Sequence, residues 1–202
     1  MKLVIMTQPT FFVEEDKILT ALFDEGMDNL HLYKPGASPM YSERLLSLLP
    51  ESMYGKITVH ENYYLKNEYG LSGIHLDFED KEPPADYKGK YSRTCYDVDK
   101  LAYMKKKSEY VFLYGVFGKQ QYDSIHQALS RPQLEDLASR GLIDKRVYAL
   151  GGLSLDNVRE AKDLGFGGVV VCEALWNRFN IHSELDYKEL ISHFEKLRKV
   201  VS

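Results

Sequence analysis

The chain is poor in cysteine: Cys95 and Cys172 are its only two, too few for a disulfide framework. It has no uncharged apolar run near the length that a bilayer crossing needs, which argues against a membrane protein. It has no excess of positive charge either. Against 30 Asp and Glu stand 26 Lys and Arg, a net charge of −4, so no basic field draws phosphodiester backbones and nucleic acid is not the expected partner. The N-terminus passes from Met1-Lys2-Leu3-Val4-Ile5-Met6 into Thr7 and Gln8 before a signal-peptide core develops. A reducing cytoplasm is the expected compartment. No linker, internal repeat or low-complexity stretch divides the 202 residues, so residues 1–202 are expected to form a single domain.

What is present is a rhythm of short apolar runs, each followed by a helical pattern or by a loop in its place. Leu3–Met6, Leu30–Tyr33, Ile57–His60, Ile74–Leu76, Tyr91–Tyr96, Tyr110–Phe117, Val147–Leu150 and Gly168–Val171 read as strands. Between them, Ile18, Leu19, Leu22 and Phe23 have helical spacing, and Gly26 ends that helix. Ser38-Pro39 offers an N-cap and first-turn proline for a helix through Leu45, Leu46 and Leu49. Leu134 and Leu137 precede a stop at Gly141, and Val158, Ala161 and Leu164 precede one at Gly165. Asp186 and Glu189 have capping-box spacing ahead of a last helix with Leu190, Ile191, Phe194 and Leu197 on one face. Phe78 to Pro84 carries dense charge and two prolines, so the fourth helix should be short or missing. Eight strands with such crossovers predict an α/β chain folded as a closed (β/α)8 TIM barrel. A doubly wound open sheet is the alternative, but no G-x-G-x-x-G follows the first strand.

In such a barrel the residues just after each strand carry chemistry. Gly151 and Gly152, with Cys172 and Glu173 after the last strand, read either as a backbone phosphate cup or as a tight turn needing glycine for packing. Glu61 and Asp80 follow neighbouring strands and could share one hard cation such as Mg²⁺, or stand as two solvated acids. His31, His60 and His75 lie on successive strands and invite a zinc reading, although packed, hydrogen-bonded histidines are the commoner state. Lys34 and Lys119 would bring positive charge to the mouth. Cys95 reads as a buried structural thiol.

Three blocks in order, Gly73-Ile74-His75-Leu76 before Asp80, Ala149-Leu150-Gly151-Gly152-Leu153 before Asp156-Asn157-Val158, and Gly165-Phe166-Gly167-Gly168-Val169-Val170-Val171, resemble the thiamine phosphate synthase superfamily, which includes the TenI-type thiazole tautomerases. The resemblance implies a (β/α)8 barrel acting on small phosphorylated heterocycles, with a homodimer left open. Synthases of this kind join a hydroxymethylpyrimidine diphosphate to a thiazole phosphate with Mg²⁺ bound and release pyrophosphate; the tautomerases isomerise a thiazole carboxylate phosphate without metal.

Carried over, the metal carboxylates match Glu61 and Asp80. The segment after the second strand matches His31, Tyr33 and Lys34, the thiazole phosphate cup matches Gly151 and Gly152 with Glu173, and the reacting groups match Thr94, Tyr96 and Lys119; His60 and Cys172, at their strand ends, join the expected substrate contacts. The chain departs from the pattern at six places: Glu61 stands for an aspartate and keeps the charge, Thr94 stands for a serine and keeps the hydroxyl, and four changes go further. Tyr33 stands where an arginine is usual, Tyr96 takes the place of a histidine, Glu173 replaces a small residue, and the loop around Lys119 is shortened. The reading is a synthase of thiamine biosynthesis. Two alternatives stand beside it: a tautomerase with Tyr96 or another group in place of histidine, and an idle barrel that binds thiazole phosphate or a partner protein.

Overall fold

A computed structural model describes residues 1–180 and 187–202. Eight parallel strands close on themselves in chain order: β1 (Lys2–Met6), β2 (Leu30–Leu32), β3 (Ile57–Val59), β4 (Gly73–Leu76), β5 (Tyr91–Cys95), β6 (Val111–Tyr114), β7 (Val147–Leu150) and β8 (Gly168–Val171). Closure is made by β1 against β8, in the register Leu3 with Val169 and Val4 with Val170. The helices are α1 (Glu15–Asp24), α2 (Pro39–Leu48), α3 (Tyr64–Tyr69), α4 (Leu101–Lys107), α5 (Arg131–Ser139), α6 (Val158–Asp163), α7 (Glu173–Trp176) and α8 (Lys188–Val201). The expected barrel is therefore present, with no helix between β4 and β5.

Local chemistry accounts for most boundaries. Gly70 ends α3 with φ 65°, a left-handed conformation that glycine adopts without a Cβ penalty. Ser130 starts α5 through a reciprocal capping box with Gln133. Ser38 precedes Pro39 as expected, yet its side chain makes no capping bond. β6 ends three residues earlier than the apolar run suggests, because Gly115 turns the chain at φ 81° and places Val116 and Phe117 in the following loop. The Asp186–Glu189 capping box involves Asp186, which lies outside the described residues. On α8, Leu190, Phe194 and Leu197 are buried as their spacing predicts.

The helix-less crossover, residues 77–90, is held by side chains. Beneath it lies Arg93, 1% exposed, whose Nη1 donates to the Glu79 carbonyl at 2.7 Å. Its Nε and Nη2 have no hydrogen-bond partner, and the Glu82 carboxylate stands 3.9 Å from Nη2. Glu79 turns its own carboxylate to the start of the next element, accepting from the Tyr96 and Asp97 N–H groups and from Lys100 Nζ. Arg93 thus fills volume that a helix would fill in a regular barrel.

Inside, the barrel departs from the usual branched aliphatic filling. His31, His60 and His75 from β2, the end of β3 and β4 are buried together with Ser92, Thr94 and Phe112. His60 Nδ1 lies 2.6 Å from Asp77 Oδ1, His60 Nε2 lies 2.8 Å from His31 Nδ1, and His31 Nε2 lies 2.7 Å from the Tyr110 hydroxyl. His75 spans Ser92 Oγ and Thr94 Oγ1 at 2.7 and 2.8 Å. Burial first, and then the neighbouring His60, hold His31 and His75 well below the ordinary imidazole range, so both are neutral. Lower in the barrel the Tyr110 and Tyr148 rings stack at 4.6 Å, and a side chain at Gly168 would collide with the Tyr148 ring.

The proton positions in this chain follow from its one group that can only accept. The Asp77 carboxylate takes the His60 Nδ1–H; in a neutral His60 ring the remaining Nε2 accepts from His31 Nδ1–H, and His31 Nε2 then accepts from the Tyr110 hydroxyl. Long-range ¹H–¹⁵N spectra at neutral pH should therefore show His31 and His60 both as Nδ1–H tautomers; an Nε2–H signal from either ring contradicts the order. For the crossover, Arg93→Ala should cost about 2–5 kcal/mol in urea unfolding through the void it leaves. Arg93→Met, of similar length and without unpaired N–H groups, should stay within about 1.5 kcal/mol of the parent. A methionine variant as unstable as the alanine variant would mean that charge, not volume, holds this segment.

Candidate functional site

At the C-terminal ends of the strands a cavity of about 310 Å³ opens. Its walls carry the rings of Tyr33, Phe78, Tyr96, Tyr122 and His126, with Asp123, Cys172 and Glu173 among them. Four of these were expected at the site: Tyr33, Tyr96, Cys172 and Glu173. Burial, with Asp77 and Glu61 nearby, pushes the Tyr33 phenol up to about 12, and burial raises Tyr96 and Cys172 above their ordinary values as well. These groups are uncharged at neutral pH.

The centre of the cavity wall was not singled out from the sequence. The loop after β6 brings Asp123 and His126 together, with Asp123 Oδ2 2.9 Å from His126 Nδ1 and Oδ1 accepting from the backbone N–H groups of Ile125 and His126. Although burial pulls the other way, the Tyr114 hydroxyl and these backbone donors hold the Asp123 carboxyl well below the usual range. The His126 ring stacks on Tyr96, centroids 3.8 Å apart and planes within 18°. An imidazole fixed through Nδ1 by a carboxylate is the arrangement that orients Nε2 for proton transfer. The available signal was the Asp-x-x-His spacing inside a polar loop that follows a barrel strand.

Other expected residues lie elsewhere. Lys34, expected to face anionic groups at the mouth, is 3% exposed and turned into the β1–α1 loop. There its Nζ pairs with Glu15 at 2.6 Å, donates to the Thr10 carbonyl and lies over the Phe11 ring. Burial outweighs the attraction within this pair, raising Glu15 and lowering Lys34, the reverse of what an exposed ion pair does. His31, His60 and Thr94 belong to the buried layer beneath the cavity and are not among its lining residues. Lys119 is exposed and does not line the cavity.

The three histidines do converge, with one ligand atom from each within 4.8 Å of the others. All six ring nitrogens nevertheless have protein partners, and the His60 and His75 rings stack at 4.3 Å with planes 28° apart. In-plane lone pairs of rings stacked this way run side by side and do not meet on one ion, so the cluster is a hydrogen-bonded core.

The glycine turn has a packing cause. Gly151 and Gly152 sit at φ 101° and 67°, and a side chain there would strike the Gly118 and Phe117 carbonyls, respectively. The loop after β6 thus lies directly on this turn. Glu173 turns its carboxylate to the Gln121 N–H at 2.9 Å and pairs with neither Lys34 nor Lys119. Glu61 accepts from the Gly36 N–H, and Asp80 is exposed. Asp77 and Glu61 act together on Tyr33, Tyr63 and Lys81, whereas Asp80 acts on Lys100.

No family model and no curated protein sequence matches the chain. Among solved structures it is similar to a thiamine phosphate pyrophosphorylase from Bacteroides thetaiotaomicron, at 45% identity over 100% of this chain and 98% of that one, with a TM-score of 0.88. It is also similar to a thiamine phosphate pyrophosphorylase from Pyrococcus furiosus, at 18% identity over 99% and 95% of the two chains with a TM-score of 0.76, a likeness of fold alone. The similarity to the Bacteroides protein runs the length of both chains, and by it this chain belongs to the thiamine phosphate synthase and TenI superfamily.

Proposed function

We propose that the protein is a thiamine phosphate synthase, joining a hydroxymethylpyrimidine diphosphate to a thiazole phosphate with release of pyrophosphate. The observation that carries this reading is the 45% identity, end to end, to a thiamine phosphate pyrophosphorylase. The reaction is an ionising substitution. The bond from the pyrimidine methylene to the diphosphate oxygen breaks with its electron pair leaving on oxygen, and the thiazole nitrogen lone pair forms the new bond to carbon. A protein promotes it by orientation and by electrostatics aimed at the developing charges, with no nucleophile of its own. The aromatic walls at Tyr33, Phe78, Tyr96 and Tyr122 suit two planar rings held face to face.

Glu61 and Asp80 offer hard oxygen donors from loops after adjacent strands, a donor set that suits Mg²⁺ better than a softer ion. Bound there, Mg²⁺ would neutralise the diphosphate. Lys119, exposed on the loop beside the mouth, is the remaining lysine for that end of the substrate. The proposed setting is a cytoplasmic enzyme.

A second reading has its own observation. The Asp123–His126 pair stands against Tyr96, where the tautomerases of the superfamily carry histidine, so an imidazole absent from position 96 returns from another loop. That arrangement favours isomerisation of a thiazole carboxylate phosphate, with His126 Nε2 moving the proton.

With Mg²⁺, purified protein should form thiamine phosphate slowly, and Asp80→Asn should reduce the rate a hundredfold or more, the effect of removing about 2.7–4 kcal/mol of preorganised charge. Equal product in EDTA, or an unaffected Asp80→Asn variant, would defeat the metal-assisted reading. If isomerisation is the activity, His126→Gln should slow it by roughly 10²–10⁴; an unchanged isomerisation rate removes His126 from that role. Absence of both products, together with a higher melting temperature in thiazole phosphate, would leave a binding protein.

A further inference from the structure

The mouth cavity contains no lysine or arginine among its lining residues. Both lysines expected to supply positive charge are accounted for elsewhere: Lys34 is sealed in its pair with Glu15, and Lys119 points outside the lining. What the cavity does contain is four phenyl or phenol rings and two carboxylates, Asp123 and Glu173. Among the described residues, no lysine or arginine forms an ion pair with either carboxylate. Asp123 is bound by backbone N–H groups and His126, and Glu173 by the Gln121 N–H. Even with His126 protonated, two negative charges face one positive charge. Aromatic faces present negative quadrupole to a bound ligand, and they add to the same preference.

We propose that this cavity is selective for a positively charged planar heteroaromatic ring, held against its aromatic wall of Tyr33, Phe78, Tyr96 and Tyr122 with Asp123 and Glu173 as its counter-charges. Free phosphate or diphosphate is repelled from this space, and any phosphate on the ligand lies outside it, toward Lys119. The volume of about 310 Å³ suits one or two small rings. Because it names the charge of the ring at the same mouth, the proposal rests on the synthase reading. Alkylation of a thiazole nitrogen converts a neutral ring to a cation, and an acidic aromatic cavity stabilises that change more than it stabilises the neutral reactant. This is binding energy available to the transition state and withheld from the substrate. It also implies that the cationic product is held more tightly than the thiazole from which it forms.

The test needs no turnover. Binding of an N-methylthiazolium cation and of the neutral thiazole with the same ring substituents is measured by calorimetry on the intact protein. The cation is expected to bind roughly tenfold more tightly, with the preference shrinking as salt is raised. Asp123→Asn and Glu173→Gln should each reduce it several-fold. Glu173→Gln retains an oxygen for the Gln121 N–H, and Tyr122→Ala, at a side chain 70% exposed, probes the aromatic wall with little risk to folding. Equal affinity for cation and neutral ring overturns the proposal, as does a preference unchanged in all three variants. Competitive displacement of the cation by inorganic pyrophosphate without metal also overturns it. The synthase assay run on the same preparation separates the two readings: a cation preference without thiamine phosphate formation upholds this proposal and defeats the synthase, while turnover with equal affinities does the reverse.

Discussion

The interior of a closed eight-stranded barrel has no water to spare, and here it is asked to hold three imidazoles, two hydroxyls and a tyrosine. That demand organises the rest of the molecule. Every ring nitrogen of His31, His60 and His75 must find a partner, because a buried unpaired polar group costs about 1–3 kcal/mol. The partners come from β2, β3, β4, β5 and the residue before β6. A slip of any one of these strands by a residue would turn its histidine or hydroxyl to the outer face and strand the others. The polar core therefore fixes register in half of the barrel, where shape alone fixes it in the apolar half. It also supplies the floor on which the mouth is built, since Asp77 closes the chain of hydrogen bonds from above.

The acids at the strand ends show a common economy. Glu61 takes the Gly36 N–H, Asp77 takes His60, Glu79 takes two N–H groups and Lys100, and Glu173 takes the Gln121 N–H. Each fastens a loop that lacks a regular partner. Carboxylates whose spacing suggests a metal or substrate role are, in this structure, also the pins of the loops that would carry that role. Chemistry and architecture at the mouth draw on the same side chains, so a substitution that removes charge there also loosens a loop.

The barrel was legible because its signals are local. Short apolar runs mark the strands, Gly26, Gly70 and Gly141 mark helix ends, and Pro83-Pro84 mark the crossover with no helix. The site was less legible, because what decides it is pairing across the chain. Nothing near Lys34 announces that Glu15, nineteen residues earlier, will bury it. Nothing in Thr94-Cys95-Tyr96 announces that Thr94 faces His75 inside the barrel while Tyr96 meets His126 from the next loop. The glycine pair at 151 and 152 allowed two readings in the sequence, a phosphate cup or a tight turn, and only the structure shows the backbone that lies against it, from Phe117 and Gly118. The end of β6 was overrun for a related reason: Val116 and Phe117 are apolar without being strand, since Gly115 has already turned the chain.

The contact between Tyr148 and Gly168 bears on how this sequence can drift. The phenol ring on β7 occupies the space that any side chain on β8 at position 168 would need, and Tyr148 in turn stacks on Tyr110. Changes at these positions cannot be made in either order. A smaller residue at 148 leaves a void that a later alanine or valine at 168 can fill, whereas the same change at 168 made first has nowhere to go. The floor of the barrel thus admits only an ordered path between alternative packings, and its aromatic stack acts as a historical ratchet on the lineage that acquired it.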